Sequence, residues 1–153
     1  MESKFPVLHW GRILIAGITA AVLSIISLLL VIAAYAGFLA LQTQGQPPDQ
    51  AQIARFAAEI GPWVGPLFTM IAAIAAALWT AITLQKDMQL HGILVGLVTA
   101  IAALAATILF SQAIESAEIA GFFLTVMSGW LGGMLIRRDE SVQKPQVKPG
   151  QQV

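Results

Sequence analysis

Two carboxylates late in the chain are the residues whose type and spacing most resemble a chemical site. Glu115 and Glu118 are three positions apart, so on a helix they would share one face. With the nearby Ser111 and Gln112 they could bind a cation or a proton at the outer mouth of a bundle. Carboxylates at a helix N-terminus are also stabilised by the helix dipole without any ligand. The dipole explains the pair sufficiently, so Glu115 and Glu118 are candidates for a site and nothing more.

The two histidines, His9 and His91, each come just before a long apolar stretch. This position could bring two imidazoles together to hold haem or a metal ion. Haem is held by axial side chains that approach the iron directly, and within a bundle these normally come from opposed spans rather than from their edges. We therefore predict no metal and no cofactor.

The sequence contains few residues or motifs for other kinds of reactive chemistry. The chain has no cysteine, which excludes disulfides, thiolate catalysis and Cys-ligated metals. It also lacks a phosphate-binding glycine loop, a histidine-rich metal motif and a nucleophile elbow. We predict no catalytic residue and a non-enzymatic protein.

Glycine and proline supply the remaining candidates. Pro62, Gly65 and Pro66 belong to two Gly-Pro pairs four residues apart, which predict either a hinge or simply the start of a helix. Small residues recur at four-residue or shorter spacing, and such spacing lets helices approach closely in lipid. These packing candidates are Gly92, Gly96, Ala100, Gly129, Gly132 and Gly133. The last three could pack within the bundle or against a second copy of the chain.

Four charge-free apolar stretches must position these residues. The chain has 153 residues, of which 58% are hydrophobic and 10% charged, and a soluble domain has nearer a quarter charged. Stretches of about 18 or more apolar residues predict transmembrane helices. We therefore predict an all-α integral membrane protein with a four-span domain over residues 1–140 and a disordered cytoplasmic tail over 141–153. The spans are 13–41, 63–84, 92–110 and 119–136.

The distribution of basic residues predicts the topology. If both termini are cytoplasmic, seven of the eight lysines and arginines lie on the cytoplasmic side and Arg55 alone lies outside. Lys and Arg concentrate in cytoplasmic loops. The prediction is an N-in, C-in protein of the plasma (inner) membrane, embedded in the lipid bilayer. A net charge of zero gives no basic field for nucleic acid.

The segment between the first two spans predicts a separate amphipathic helix over about 50–60. Asp49 and Gln52 have the spacing of a capping box, and Ile53, Phe56 and Ile60 follow a helical period. Such a helix would lie in the outer interface of the membrane. It could act as a lid or simply cover exposed helix ends.

An internal repeat is the last organisational signal. Residues 13–20 match residues 93–100 at four of eight positions, and 65–69 parallel 121–125. These matches predict a duplicated helical hairpin in a parallel 2+2 repeat. Segments that consist mainly of a few small apolar residue types also match each other by chance.

Three functions remain open at this point. The first is a homo-oligomer or a small subunit of a membrane complex, because packing residues are plentiful and reactive groups are few. The second is a small oligomeric transporter or channel for a small solute, with a path lined by hydroxyls such as those of Thr69 and Thr125. The third is a lipid-processing enzyme, which would need the glutamates and histidines to converge.

Overall fold

Four long helices make up the described part of the chain. The computed structural model describes residues 9–43, 47–84, 87–111 and 116–135. The helices are α1 (Trp10–Gln42), α2 (Gln50–Leu84), α3 (Met88–Ser111) and α4 (Ser116–Leu135). All four are long and apolar enough to cross a membrane, as the sequence predicts.

The helices pack as a bundle with two distinct ends. Helices α2 and α3 contact each other and both remaining helices, whereas α1 and α4 scarcely meet. Gly17 of α1 packs against Val98 of α3, and Gly132 of α4 packs against Ala77 of α2. Gly133, near the end of α4, packs against Met88 at the start of α3. These contacts place the starts of α1 and α3 beside the ends of α2 and α4. We call this the terminus end and the opposite one the loop end.

Small side chains fill the interior and large apolar ones cover the outside. Ile13, Ala16 and Val95 form the buried core, with further buried alanines on α1, α2 and α3. Leu30, Trp79 and Leu109 are more than half exposed. Lipid tails are as apolar as leucine, so the burial of large side chains gains little in a membrane and close backbone packing takes its place. A bundle with small side chains inside and large apolar side chains outside is therefore suited to a lipid environment.

The predicted separate amphipathic helix over 50–60 is wrong in one respect, because it is continuous with the second span. Helix α2 begins at Gln50 and carries Pro62 and Pro66 in its interior. The Asp49 carboxylate accepts a hydrogen bond from the Ala51 N–H at 2.9 Å, which caps the first turn. The φ angle that proline fixes is itself helical, so each proline removes one hydrogen bond without forcing the chain out of the helix.

Contacts with α1 hold the first turns of α2 in place. Helix α1 has 33 residues and α4 has 20, which correspond to about 50 Å and about 30 Å. Helices α1 and α2 therefore extend past the other two at the loop end. There the Tyr35 and Phe56 rings stack with centroids 3.8 Å apart, and the Gln52 amide lies 3.4 Å from the Tyr35 hydroxyl.

Several predictions fall outside the described residues. Glu115, the tail over 141–153 and the basic residues beyond Leu135 are among them. The orientation of the bundle across the membrane therefore remains a prediction from charge.

Candidate functional site

A half-open cavity of about 610 Å³ lies between the four helices in the half of the bundle nearer the loop end. Its wall includes Ser24 and Leu28 from α1, Thr69 from α2, Ala103 from α3 and Phe122 from α4. The wall is mainly apolar, and the volume falls within the range of small-molecule sites. The cavity exists because α1 and α4 scarcely meet, so α2 and α3 hold them apart.

Four hydroxyl groups among the described residues line this cavity, and each donates a hydrogen bond to a carbonyl of its own helix. An acceptor three or four residues back is the usual partner of a hydroxyl in an apolar helix. The donors and carbonyl acceptors are Ser24 to Ala21 (2.8 Å), Thr69 to Gly65 (2.9 Å), Thr107 to Ala103 (3.3 Å) and Thr125 to Gly121 (2.8 Å). With the hydrogens so directed, the Ser24, Thr69 and Thr125 oxygens offer only lone pairs to the cavity.

The two prolines of α2 leave two backbone carbonyls without their usual donor, on residues that line the same wall. Proline has no N–H, so in a helix the carbonyl four residues earlier loses its donor. For Pro62 that carbonyl belongs to Ala58, and for Pro66 it belongs to Pro62. Ala58, Pro62 and Pro66 all line the cavity. The sequence predicted Pro62, Gly65 and Pro66 as a hinge or a start signal, and the structure places them within α2 at this wall.

Glu118 is the charged residue among the described residues that line the cavity. It lies in the first turn of α4, half-buried, where the helix dipole stabilises a carboxylate. Its predicted partner, Glu115, lies outside the described residues. Lysine, arginine, histidine and amide side chains do not occur among the described lining residues. The described polar side chains of this wall therefore present hydrogen-bond acceptors.

One of the two segment pairs that suggested duplication, 65–69 with 121–125, meets at the cavity. Gly65 and Thr69 of α2 and Gly121 and Thr125 of α4 all line it. In each pair the threonine donates to the glycine carbonyl one turn earlier. Pro66 also packs against Gly121, whose added Cβ would lie 3.5 Å from the proline ring. The correspondence agrees with a repeat, which remains a prediction.

The packing candidates lie mostly at the terminus end, where α3 and α4 are in backbone contact. A Cβ on Gly92 would lie 2.5 Å from the Gly129 carbonyl oxygen, and one on Gly96 would lie 3.0 Å from the Thr125 carbonyl oxygen. Gly132 faces α2 in the same way, with Ile74 and Ala77 as neighbours, and Gly133 faces the Met88 carbonyl. Ala100 is buried and borders the cavity. The structure thus uses all six inside the bundle rather than on its surface.

The two histidines come together at the terminus end, with ring centroids 6.4 Å apart. Gly133, next to the start of α3, follows Glu118 by fifteen residues along α4, which is about 22 Å of helix. The histidines and Glu118 are therefore far apart, and the convergence that a lipid-processing enzyme would need does not occur among the described residues. In the same residues no group of three or more His, Asp or Glu could hold a metal ion.

No family model, curated protein or solved structure matches this chain. The geometry of its own residues therefore carries the functional argument.

The cavity itself is the feature that sequence reasoning missed. Thr69 and Thr125 stood out as polar residues within spans, but Leu28, Ala103 and Phe122 are ordinary apolar residues. The available signal was the paired prolines, because a proline within a span frees a carbonyl. The helices that surround such a carbonyl are determined by the packing of the bundle. They cannot be predicted from a local sequence pattern.

Proposed function

We propose that this protein is a non-enzymatic membrane transporter for a small organic cation, in which an ammonium group is attached to a hydrocarbon body. The observation that carries the proposal is the mainly apolar cavity whose described polar side chains present acceptors. An apolar wall suits hydrocarbon, and a wall of acceptors suits a group that only donates hydrogen bonds.

The polar groups of the cavity wall also indicate the charge of the ligand. An ammonium group has three donors and no acceptor, so the Ser24, Thr69 and Thr125 oxygens can accept hydrogen bonds from it. The negative charge of Glu118, at the same wall, balances its positive charge. A buried charge needs such a partner, because an unpaired one loses far more solvation than it regains. An anion would face lone pairs and a carboxylate instead.

Tight packing beyond the cavity favours a transporter over an open channel. At the terminus end Ile13, Val95 and Thr99 are fully buried, and α3 meets α4 backbone to backbone. A ligand in the cavity must wait for these helices to move before it can leave by that end. We place the terminus end in the cytoplasm and the loop end outside a plasma membrane, following the charge asymmetry of the sequence.

Glu118→Gln is expected to weaken binding of 2-phenylethylammonium by about tenfold or more, because a hydrogen bond to a charged group is worth about 1.5–3 kcal/mol. The measurement is equilibrium dialysis against the full-length protein in lipid nanodiscs. Two probes of similar shape, neutral 2-phenylethanol and anionic 3-phenylpropionate, test the sign of the charge. The expected order of affinity is cation, neutral, anion.

Glu59→Gln is the matched control, since Glu59 is exposed on α2 and is not a lining residue. It should bind the cation as the unchanged protein does. Equal binding of cation and anion, or an unaffected Glu118→Gln variant, would sink the proposal. Uptake of the cation into proteoliposomes then tests transport, and Thr69→Val and Thr125→Val should slow it.

A second candidate function is a self-associating protein or a small subunit of a membrane complex. It is favoured by a face of α1 on which Ala33, Ala34 and Gly37 are exposed. A Cβ on Gly37 would meet nothing within 4 Å, so this small-residue surface is open to another helix in the membrane. Small residues of this kind allow close helix approach.

Gly37→Leu is expected to abolish any association through this face while leaving the bundle folded, because the added side chain has free space within the single chain. The measurement is single-molecule photobleaching of labelled protein in native lipid, with Gly11→Leu as the control at another open glycine. A count of one subunit in the unchanged protein, with no other protein bound, would remove this candidate.

A further inference from the structure

A buried histidine at the terminus end has a ring nitrogen with nothing to bind. His91 is 2% exposed, and its Nε2 is buried with no hydrogen-bond partner. Its Nδ1 lies 3.0 Å from the Asp87 carbonyl oxygen. That oxygen can only accept, so Nδ1 carries the proton of the neutral ring and Nε2 is left with an unused lone pair.

The Asp87 carbonyl holds this ring in position. It also accepts the His91 backbone N–H at 3.1 Å, and Asp87 itself adopts a positive φ of 49°. Asp tolerates this left-handed conformation better than most residues. A ring N–H donated to a backbone carbonyl is the usual support of a histidine that binds metal through its other nitrogen.

His9 supplies a second imidazole beside the first. It is exposed just before α1, where its backbone carbonyl accepts from the N–H groups of Arg12 (3.0 Å) and Ile13 (3.2 Å). The two ring centroids lie 6.4 Å apart, and the ring planes are tilted by 43°.

We propose that His9 and His91 bind one monovalent copper ion between their Nε2 atoms. With the bond length of zinc to imidazole, about 2.0–2.1 Å, and roughly 1.1 Å from nitrogen to ring centre, two collinear bonds place the centroids about 6.2–6.4 Å apart. The same bonds at a tetrahedral angle would require about 5.2 Å. The observed separation fits the collinear arrangement. Monovalent copper accepts two nitrogen ligands in a line, whereas zinc in proteins takes four ligands, and the described residues offer two here.

The test uses the full-length chain in nanodiscs with an affinity tag that contains no histidine. Cu⁺ is supplied without oxygen in the presence of ascorbate and competed against the chromophoric chelator bicinchoninate. We expect one Cu⁺ per chain, and X-ray absorption should show two nitrogen ligands. Because the chain has only two histidines, His9→Gln/His91→Gln gives a background free of imidazole.

His9→Gln is the decisive single variant, since His9 is exposed and its loss does not disturb the core. It should lower the Cu⁺ affinity by more than tenfold, because loss of a residue that merely supports a metal ligand already costs 10- to 100-fold. His9→Gln/Gln50→His restores the number of histidines at the distant loop end and should not restore binding. Affinity unchanged in His9→Gln, binding restored by the relocated histidine, or one Cu⁺ shared by two chains would each overturn the site.

Discussion

Alanine in place of Gly129 is expected to destabilise the folded bundle by about 2–3 kcal/mol, the upper range for an overpacked interior. The new Cβ would meet the Gly92 carbonyl oxygen and lie 2.7 Å from the Gly96 Cα. Both are backbone atoms of α3, so no side chain can rotate away. The helices must separate, and every contact between α3 and α4 at the terminus end is lost with them.

Gly37→Ala is the matched control for this prediction. It adds the same methyl group to a transmembrane helix, but a Cβ there meets nothing within 4 Å. Alanine is the better helix former by about 1 kcal/mol, so this variant should unfold at the same temperature or a higher one. Thermal unfolding in mild detergent, followed by tryptophan fluorescence, compares the two. Equal midpoints would show that α3 and α4 do not make this backbone contact.

The helices could be predicted from sequence because a membrane restricts the choices. A backbone in lipid must satisfy its own hydrogen bonds, so a long apolar stretch forms a helix. The predicted span 92–110 corresponds to Met88–Ser111, and 119–136 to Ser116–Leu135. Each helix also includes polar residues beyond the ends of its apolar stretch. Hydropathy alone does not predict these additional residues.

The start of α2 was harder to predict, because local rules and packing disagree there. Pro62 and Pro66 suggest a boundary by their missing N–H groups. The stacking of Phe56 on Tyr35 stabilises the helix on the far side of that boundary. Such a contact joins residues 21 positions apart, so it becomes visible only in three dimensions.

For the candidate sites too, the sequence predicts some of the residues but not the environment in which they lie. The sequence singled out Glu118, His9 and His91 by residue type, but their surroundings follow from tertiary structure. His91 is buried although it lies in the first turn of α3. Glu118 lines a cavity because α1 and α4 stand apart, and neither fact has a signature in spacing.

Alanine in place of Pro66 should have opposite effects on stability and on the cavity. The new N–H can donate to the Pro62 carbonyl and complete the helix, and proline within a helix costs about 3 kcal/mol relative to alanine. Membrane helices and the Gly121 contact recover part of that cost, so we expect a gain of about 1–2 kcal/mol. Thermal unfolding measures it, with Pro48→Ala as the control because Pro48 precedes α2.

Binding of 2-phenylethylammonium should weaken in the same variant by about two- to tenfold, the worth of one hydrogen bond of about 0.5–1.5 kcal/mol. The reason is that the Pro62 carbonyl, once paired within α2, no longer serves as an acceptor at the cavity wall. Lower stability together with unchanged binding would contradict both halves of the prediction. A more stable helix that binds the cation less tightly would mean that α2 retains its interior proline for the ligand rather than for the fold.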